Sequence, residues 1–267
     1  MLIWKNTNTL NGFDSGLEFT DSKIDAEIAL LGSKPMNIRE FPNLRAIFRA
    51  GISRDGVPEA AAEKRGIVVN YPSKKTTNVI FEETASFTCN LILQMLFRDI
   101  GTIEPWFKEP RKQLSGKRLL VIGTGNIGNR VVKKMKNFMK VKTFDIINNK
   151  NNELKLLMNK ADCITIHIPK LDENISFINK EKLSWMQDGA LLINTARGPI
   201  VEEDALYEEL QKARLFAAFD VYWEEPYLGK LKKFHSDRFF MTPHVASTCV
   251  EYLQGCRNDL NNLIFQL

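Results

Sequence analysis

The fold is decided by the stretch Leu119-Leu120-Val121-Ile122-Gly123-Thr124-Gly125-Asn126-Ile127-Gly128. Its four apolar residues predict a short buried strand, and its three glycines have the spacing Gly-x-Gly-x-x-Gly. Residues 126–138 predict a helix, because apolar side chains recur there with helical spacing. A strand, a glycine turn and a helix in this order are the context in which the motif binds the pyrophosphate of a dinucleotide.

Each glycine of the motif has its own physical role. Gly123 permits a tight turn, Gly125 lets the backbone approach the pyrophosphate, and Gly128 lets the helix pack closely on the strand. The phosphates would lie at the helix N-terminus beside Asn126 and Ile127, where unpaired N–H groups point outward. Such glycine spacing also occurs by chance, so an ordinary turn in an α/β domain is the alternative.

An acidic residue follows at the distance that a dinucleotide site requires. Residues 141–145 predict the next strand, which ends in the carboxylate of Asp145. A carboxylate in this position binds the adenosine ribose hydroxyls and repels a 2′-phosphate, so it favours NAD over NADP. The alternative is that Asp145 is only a solvated strand end.

Composition and charge limit the classes of protein to consider. The 267 residues have room for one large or two small domains. The formal net charge of +5 is mild and spread along the chain, so it does not favour a nucleic-acid partner. We find neither a secretory signal nor an apolar run of membrane-spanning length. The four cysteines lack metal-ligand spacing and fit a reducing compartment, so we predict a cytoplasmic protein without a metal site.

The rest of the chain alternates between short apolar runs and helical patterns, which predicts parallel α/β sheets. In the first 80 residues we expect strands at 28–32, 44–51 and 66–70 and a short helix at 58–65. We then expect a long apolar helix at 78–97, an irregular segment at 100–116 and a final helix at 247–267. The larger part predicts a doubly wound parallel sheet with strands at 118–122, 141–145, 162–168, 190–194, 215–221 and 238–242 and helices at 126–139, 151–159, 179–186 and 202–213.

Polar residues follow four predicted strands of the larger part, at the strand ends where open α/β sheets bind ligands. They are His167-Ile168-Pro169, Asn194-Thr195-Ala196-Arg197-Gly198, Asp220 with Glu224-Glu225-Pro226, and Thr242-Pro243-His244. Because parallel strands share one carboxyl edge, we expect these segments to face the same cleft as the glycine motif.

Five ordered blocks together resemble the D-isomer-specific 2-hydroxyacid dehydrogenase family, which includes phosphoglycerate, glycerate and D-lactate dehydrogenases. The blocks are residues 49–55, the glycine motif with Asp145, and residues 192–198, 220–226 and 242–244. The resemblance implies a Rossmann NAD-binding domain over 79–248. It also implies a smaller, reduced, flavodoxin-like substrate-binding domain over 1–78 and 249–267.

The resemblance implies catalytic roles for three residues that would each, taken alone, be read as surface residues. Arg197 would hold the substrate carboxylate through its guanidinium fork and polarise the substrate carbonyl. His244 would be the general acid/base, because an imidazole titrates near neutral pH. Glu225 would pair with His244; of the two adjacent glutamates it directly precedes the proline, as in the family pattern.

The resemblance also implies cofactor and substrate contacts. Asp220 would accept from the nicotinamide carboxamide, and Thr195, Pro169 and His167 would line the cofactor cleft. The alternative for His167 is that it only caps its strand. The loop containing Arg49, Gly51, Ser53 and Arg54 would bind the anionic substrate, with serine where the family commonly has a second glycine.

Basic residues accumulate near this substrate loop. Arg49, Arg54, Lys74 and Lys75 either are scattered surface charge or bind a second anionic group on the substrate, such as a phosphate. Only about 27 residues precede the first predicted strand, so we expect at least one βα unit to be missing or reduced. By resemblance we expect a homodimer with the apolar helix near its interface.

We therefore predict an NAD-dependent D-2-hydroxyacid dehydrogenase, most like the phosphoglycerate and glycerate dehydrogenases, acting on a small 2-hydroxy or 2-keto acid. A glyoxylate or hydroxypyruvate reductase is the near alternative. A non-catalytic NAD-sensing protein on the same scaffold and an inactive shortened relative are the other two.

Overall fold

The computed structural model describes residues 1–149 and 151–267. It divides into two units, which we describe separately. The smaller unit consists of Met1–Ile80 and Ser247–Leu267, and the larger unit consists of Phe81–Ala246. None of the helices among the described residues is both long and apolar enough to cross a membrane.

The strands, in chain order, are β1 Leu2–Lys5, β2 Glu18–Phe19, β3 Ile28–Leu31, β4 Ala46–Arg49, β5 Val68–Asn70, β6 Gly101–Thr102, β7 Phe107–Lys108, β8 Arg118–Ile122, β9 Lys140–Phe144, β10 Cys163–Ile166, β11 Leu191–Asn194, β12 Phe216–Phe219 and β13 Phe239–Met241. The α-helices are α1 Glu59–Glu63, α2 Lys74–Leu96, α3 Asn126–Met135, α4 Asn151–Met158, α5 Lys180–Ser184, α6 Glu203–Gln211 and α7 Val250–Gln266.

The smaller unit is built on a five-stranded parallel sheet in the order β2-β1-β3-β4-β5. This is the flavodoxin-like strand order. Successive residues of β3 and β4 alternate between its two faces, so Leu30 and Phe48 pack with α7 while Leu31 and Ile47 pack with Phe41. The predicted α/β class and parallel sheet are confirmed.

We expected at least one βα unit of the smaller unit to be missing or reduced, and the structure shows a reduction. All five strands are present, and the reduction lies in their connections: turns replace a helix between β1 and β2, and α1 has only five residues. We did not predict β1 and β2. The two residues of β2 are too few to show strand periodicity, whereas β1 is as long as the predicted β3 and was overlooked.

A carboxylate of the C-terminal helix adds hydrogen bonds to the apolar packing of that helix in this unit. Asp259 of α7 accepts hydrogen bonds from the Ser73 backbone N–H at 2.8 Å and from the Thr76 hydroxyl at 2.7 Å. Both donors lie at the start of α2, where backbone N–H groups lack helical partners. Asp259 therefore caps one helix while anchoring another.

The larger unit is a six-stranded parallel sheet in the order β13-β12-β11-β10-β8-β9. In β8, Leu119 and Val121 pack with α2 and α3, whereas Leu120 and Ile122 pack with α4, α5 and α6. Helices thus cover both faces, which confirms the predicted doubly wound sheet. At the β9 edge, exposed lysines at 140 and 142 discourage pairing with another strand.

The expectation of an irregular segment at 100–116 is wrong in part. β6 and β7 form an antiparallel hairpin, with Gly101 opposite Lys108 and Thr102 opposite Phe107. Strands of two residues carry no readable period, so the sequence pattern could not reveal them. The hairpin leaves large apolar side chains exposed at Ile103, Trp106 and Phe107.

Candidate active site

The parallel larger sheet brings the predicted catalytic and cofactor residues to one edge. Loops that carry them follow β8, β9, β10, β11, β12 and β13, and all strands of this sheet end on the same side. These residues all belong to the larger unit. The predicted substrate-loop residues belong to the smaller unit.

The glycine motif forms a close-packed turn between β8 and α3. Gly123 has φ +91°, and a Cβ on Gly128 would lie 1.9 Å from the Gly123 carbonyl oxygen. Gly125 precedes α3 in extended conformation, and a Cβ there would meet no atom within 4 Å. No side chain caps α3, so its first N–H groups have neither a helical nor a side-chain acceptor and suit a pyrophosphate.

Asp145 is ionised and tied to the glycine turn. One carboxylate oxygen accepts from the Thr124 backbone N–H at 2.8 Å and from the Thr124 hydroxyl at 2.7 Å, while the other accepts from the Ile147 N–H. The bond from the Thr124 hydroxyl is the main cause that lowers the pKa of Asp145 below its ordinary 3.8. A negative charge is therefore fixed beside the glycine turn, which is where a carboxylate that binds ribose hydroxyls is expected.

The remaining predicted cofactor residues differ in burial: Pro169 is exposed, His167 is partly buried and Thr195 is buried. Burial lowers the pKa of His167 to about 3, so the ring is neutral at physiological pH, and its Nε2 lies 3.0 Å from the Thr165 hydroxyl. The Pro169 carbonyl accepts from Asn174 at 2.9 Å. Thr195 is buried, with its hydroxyl 2.8 Å from that of Thr88 in α2.

Arg197 lies in a loop that Asn194 organises. The fully buried Asn194 side chain accepts from the Ala196 N–H at 3.0 Å and donates to the Arg197 carbonyl at 2.9 Å. The next residue must be glycine, because a Cβ on Gly198 would lie 2.0 Å from the Tyr222 carbonyl carbon. We did not predict these two roles; the one available signal was an amide residue ending a buried strand.

Glu225 and His244 form a hydrogen-bonded pair. The Glu225 Oε2 lies 2.7 Å from the His244 Nδ1, and the two side chains are 29% and 36% exposed. Burial alone would raise the pKa of Glu225, but hydrogen bonding and charge from His244 dominate, assisted by the Tyr222 N–H and the Arg197 guanidinium, and the net pKa is lowered. Glu225 is therefore a carboxylate, and Arg197 lies near enough to influence it.

Asp220 is completely buried beneath the His244 loop. Its carboxylate accepts from the Thr242 hydroxyl at 2.6 Å and from the backbone N–H groups of Val245 and Ala246, both at 2.9 Å. Burial raises the pKa of Asp220, and the three donors oppose that rise. The carboxylate thus accepts from three protein donors, and the expected contact with the nicotinamide carboxamide stays a prediction.

The two arginines of the predicted substrate loop, Arg49 and Arg54, differ in their exposure to solvent. Arg49 is 5% exposed and donates to the Ala50 carbonyl at 2.9 Å. Arg54 has a 76% exposed side chain and pairs with Glu59 at 3.1 Å. Ser53 accepts from the Asp55 N–H within the loop, and Gly51 has φ +144°. Only Arg54 of these two arginines therefore presents its charge to solvent.

The side chains of the described residues were compared with the grouping that a metal ion requires. Within residues 1–149 and 151–267, no group of three or more histidine, cysteine, aspartate or glutamate side chains is placed to hold a metal ion. The site consists of an ion-paired histidine, an arginine and a dinucleotide-type glycine turn.

Comparison with known proteins identifies the family. The family model for the D-isomer specific 2-hydroxyacid dehydrogenase, NAD binding domain, matches residues 102–246. The chain is 31% identical over 243 residues to the hydroxypyruvate reductase of Thermotoga maritima, covering 84% of this chain and 78% of that protein. It is also 31% identical over 264 residues to the glyoxylate reductase of Thermofilum pendens, covering 90% and 74%.

Two further matches bear on the branch and the fold. The chain is 33% identical over 252 residues to D-3-phosphoglycerate dehydrogenase of Archaeoglobus fulgidus, covering 87% of this chain and 45% of that protein. The D-lactate dehydrogenase of Aquifex aeolicus, solved with NAD and lactic acid, shares the fold with a TM-score of 0.80 at 24% identity, covering 99% and 94%. The chain belongs to the D-isomer-specific 2-hydroxyacid dehydrogenase family, whose members are NAD-binding oxidoreductases that act on CH–OH groups.

Proposed function

We propose that this protein is an NAD-dependent dehydrogenase that interconverts a small 2-hydroxy acid and its 2-keto acid through Arg197, Glu225 and His244. The single observation that carries the proposal is the 2.7 Å pair between Glu225 and His244, with the Arg197 guanidinium close enough to lower the pKa of Glu225. A base oriented by a carboxylate, next to a cation that can hold a substrate carboxylate, matches proton transfer at a carbon bearing a hydroxyl.

The pair determines which ring nitrogen exchanges the proton. Because Glu225 is ionised, the Nδ1 of His244 must carry a proton to make the hydrogen bond, which leaves Nε2 for the substrate. In reduction, Nε2–H donates its proton to the carbonyl oxygen while Glu225 stabilises the charged ring. In oxidation, the neutral Nε2 takes the hydroxyl proton back. Arg197 binds the carboxylate and polarises the carbonyl throughout.

The cofactor supplies the chemistry of hydride transfer when bound. The uncapped N-terminus of α3 would hold its pyrophosphate, and Asp145 would hold the adenosine ribose hydroxyls. Because the pKa of Asp145 is lowered, its charge persists through the physiological range and opposes a 2′-phosphate. This supports a preference for NAD over NADP.

The substrate is proposed to be an unphosphorylated acid of the hydroxypyruvate or glyoxylate class. Two relatives bear these names, and burial of Arg49 removes one of the cations that could bind a second anionic group. A phosphorylated acid is the second candidate, favoured by the exposed side chain of Arg54 and by the phosphoglycerate dehydrogenase relative.

A homodimer in the cytoplasm completes the proposal. The exposed apolar side chains of the β6–β7 hairpin, at Ile103, Trp106 and Phe107, support an interface with a second copy. The long apolar helix α2 was the segment that the sequence analysis placed near that interface. Cys89, Cys163 and Cys256 are buried free thiols, which supports a reducing compartment.

Purified protein should oxidise NADH, but not NADPH at a comparable rate, in the presence of 2-keto acids. His244→Asn should lower kcat by about 100-fold or more, because the ring can no longer transfer the proton, while the Kd for NADH stays unchanged. His235→Asn is the matched control and should leave kcat unaltered. Tight NADH binding without turnover of any keto acid would instead support a non-catalytic NAD-binding protein.

The same assay in the oxidative direction separates the two substrate candidates. D-Glycerate should be used at least as well as D-3-phosphoglycerate, and Arg54→Ala should affect both equally. A selective loss of phosphoglycerate oxidation in Arg54→Ala, absent in the exposed control Arg39→Ala, would favour the phosphorylated substrate.

The Glu225–His244 pair should give the fold a pH-dependent stability. The pKa of Glu225 is lower in the folded protein than its ordinary 4.5, so the carboxylate stabilises the fold above that value. This contribution is lost as the pH falls through the folded pKa. The difference in unfolding free energy between wild type and Glu225→Gln, measured by urea titration, should be constant near pH 5.5 and shrink below about pH 4.5. The exposed control Glu224→Gln should show no such change; a difference that grows on acidification would contradict the pairing.

If the β6–β7 hairpin forms the dimer interface, a substitution in the hairpin should weaken the dimer. Wild-type protein should sediment as a dimer at micromolar concentration, and Trp106→Ser should shift it toward monomer because the exposed ring is lost from the contact. Leu228→Ser removes an equally exposed apolar side chain outside the hairpin and should leave the dimer intact. A wild-type monomer in analytical ultracentrifugation would refute the interface.

A further inference from the structure

The loop that carries His244 has a strained backbone, which requires stabilising contacts from the residues around it. His244 adopts φ +54°, in the left-handed region that residues other than glycine rarely occupy. Such a conformation persists only where the surrounding structure over-determines it. The contacts of the flanking residues therefore show what fixes the histidine in place.

We propose that Asp220 and Tyr222 are positioning residues, and we call them the histidine clamp. They hold the left-handed turn of His244 and keep its partner Glu225 within hydrogen-bond distance. The clamp rests on the proposed catalytic role of His244. It is separate from the role that resemblance implied for Asp220, because it acts through protein contacts.

The Asp220 half of the clamp binds the backbone on both sides of the turn. The N–H groups of Val245 and Ala246 follow the left-handed residue directly and converge on one carboxylate, while Thr242 donates its hydroxyl from the other side. Successive N–H groups beside a left-handed residue form a concave anion site. Three donors compensate a carboxylate that is 0% exposed and would otherwise be costly to bury.

The Tyr222 half joins the turn to Glu225. The Tyr222 hydroxyl lies within hydrogen-bond distance of two carbonyls, at 2.9 Å from that of Phe219 and 2.8 Å from that of Thr242, to which it donates. Its backbone N–H donates to Glu225 at 3.2 Å. The same residue thus contacts both the loop before His244 and the carboxylate that pairs with it.

The ring of Tyr222 is itself immobilised. It stacks on Tyr227 with centroids 5.0 Å apart and meets Phe239 of β13 edge-on at 6.5 Å. Tyr227 offers a matched control, because its hydroxyl donates to Glu203, away from the His244 loop. Each tyrosine therefore carries one hydroxyl in the same aromatic cluster, but only one hydroxyl reaches the turn.

The first test compares two hydroxyl deletions. Tyr222→Phe should lower kcat by about five- to tenfold, the value expected when one buried hydrogen bond that orients a reacting group is lost. The KM for the keto acid and the Kd for NADH should change by less than about twofold, because the binding groups are untouched. Tyr227→Phe should leave kcat unchanged. Equal effects of the two variants on kcat would overturn the clamp.

The second test separates the clamp from a cofactor contact. Asp220→Asn should lower kcat by a similar factor, about 100-fold, with NADH and with its 3-acetylpyridine analogue, which has no amide N–H to donate. A loss confined to NADH would show that Asp220 accepts from the carboxamide, and it would overturn this half of the clamp. Should Asp220→Asn fail to fold, Thr242→Val replaces it, with Thr242→Ser restoring the hydroxyl and the rate.

A third measurement needs no turnover. Hydrogen exchange followed by NMR should find the amides of Val245 and Ala246 protected in wild type and at least about tenfold less protected in Thr242→Val, with Thr242→Ser close to wild type. Protected amides in an enzyme without activity would contradict the proposed function and leave the clamp standing. Unprotected wild-type amides would overturn the clamp even in an active enzyme.

Discussion

The site depends on the parallel run of the six strands in the larger sheet. Because every strand ends at the same edge, the loops after β8, β9, β11, β12 and β13 can bring residues far apart in sequence into one site. Arg197, Glu225 and His244 are separated by up to 47 residues, yet each directly follows a strand or its first turn. The grouping of these three side chains therefore depends on the common direction of the strands.

Hydrogen bonds from buried polar side chains then fix the conformation of the loops that follow the strands. The buried side chains of Asn194 and Asp220 have no apolar substitute, because they accept from backbone N–H groups that turn away from the ladder. Gly198 lets the arginine loop approach the backbone at Tyr222, and Tyr222 in turn contacts the histidine loop. The side chains of Glu225 and His244 are partly exposed, whereas Asn194, Asp220 and Tyr222, which contact the loops at the site, are buried.

The sequence predicted the parts of the fold that long patterns encode. The central strands β8, β10, β11 and β12 appeared as largely apolar runs of four or five residues, and the glycine spacing identified the first turn. The two-residue strands β2 and β7 have no period to read. The inward position of Arg49 was equally hidden, since a strand-end arginine looks the same in sequence whether it faces solvent or a carbonyl. The role of Asp220 depends on residues 242–246 folding over it, a contact that sequence separation conceals.

Hydride transfer to C2 of a 2-keto acid is the central claim, and isotope transfer tests it most directly. The protein would be incubated with glyoxylate, hydroxypyruvate or pyruvate and NADH deuterated at C4 of the nicotinamide, and the hydroxy acid analysed by mass spectrometry and chiral chromatography. The account predicts one deuterium at C2 of each hydroxy acid. The products of hydroxypyruvate and pyruvate, which have a stereocentre at C2, should be the D-isomers. Bound NADH without any deuterated hydroxy acid, or deuterium in the L-isomer, would contradict it.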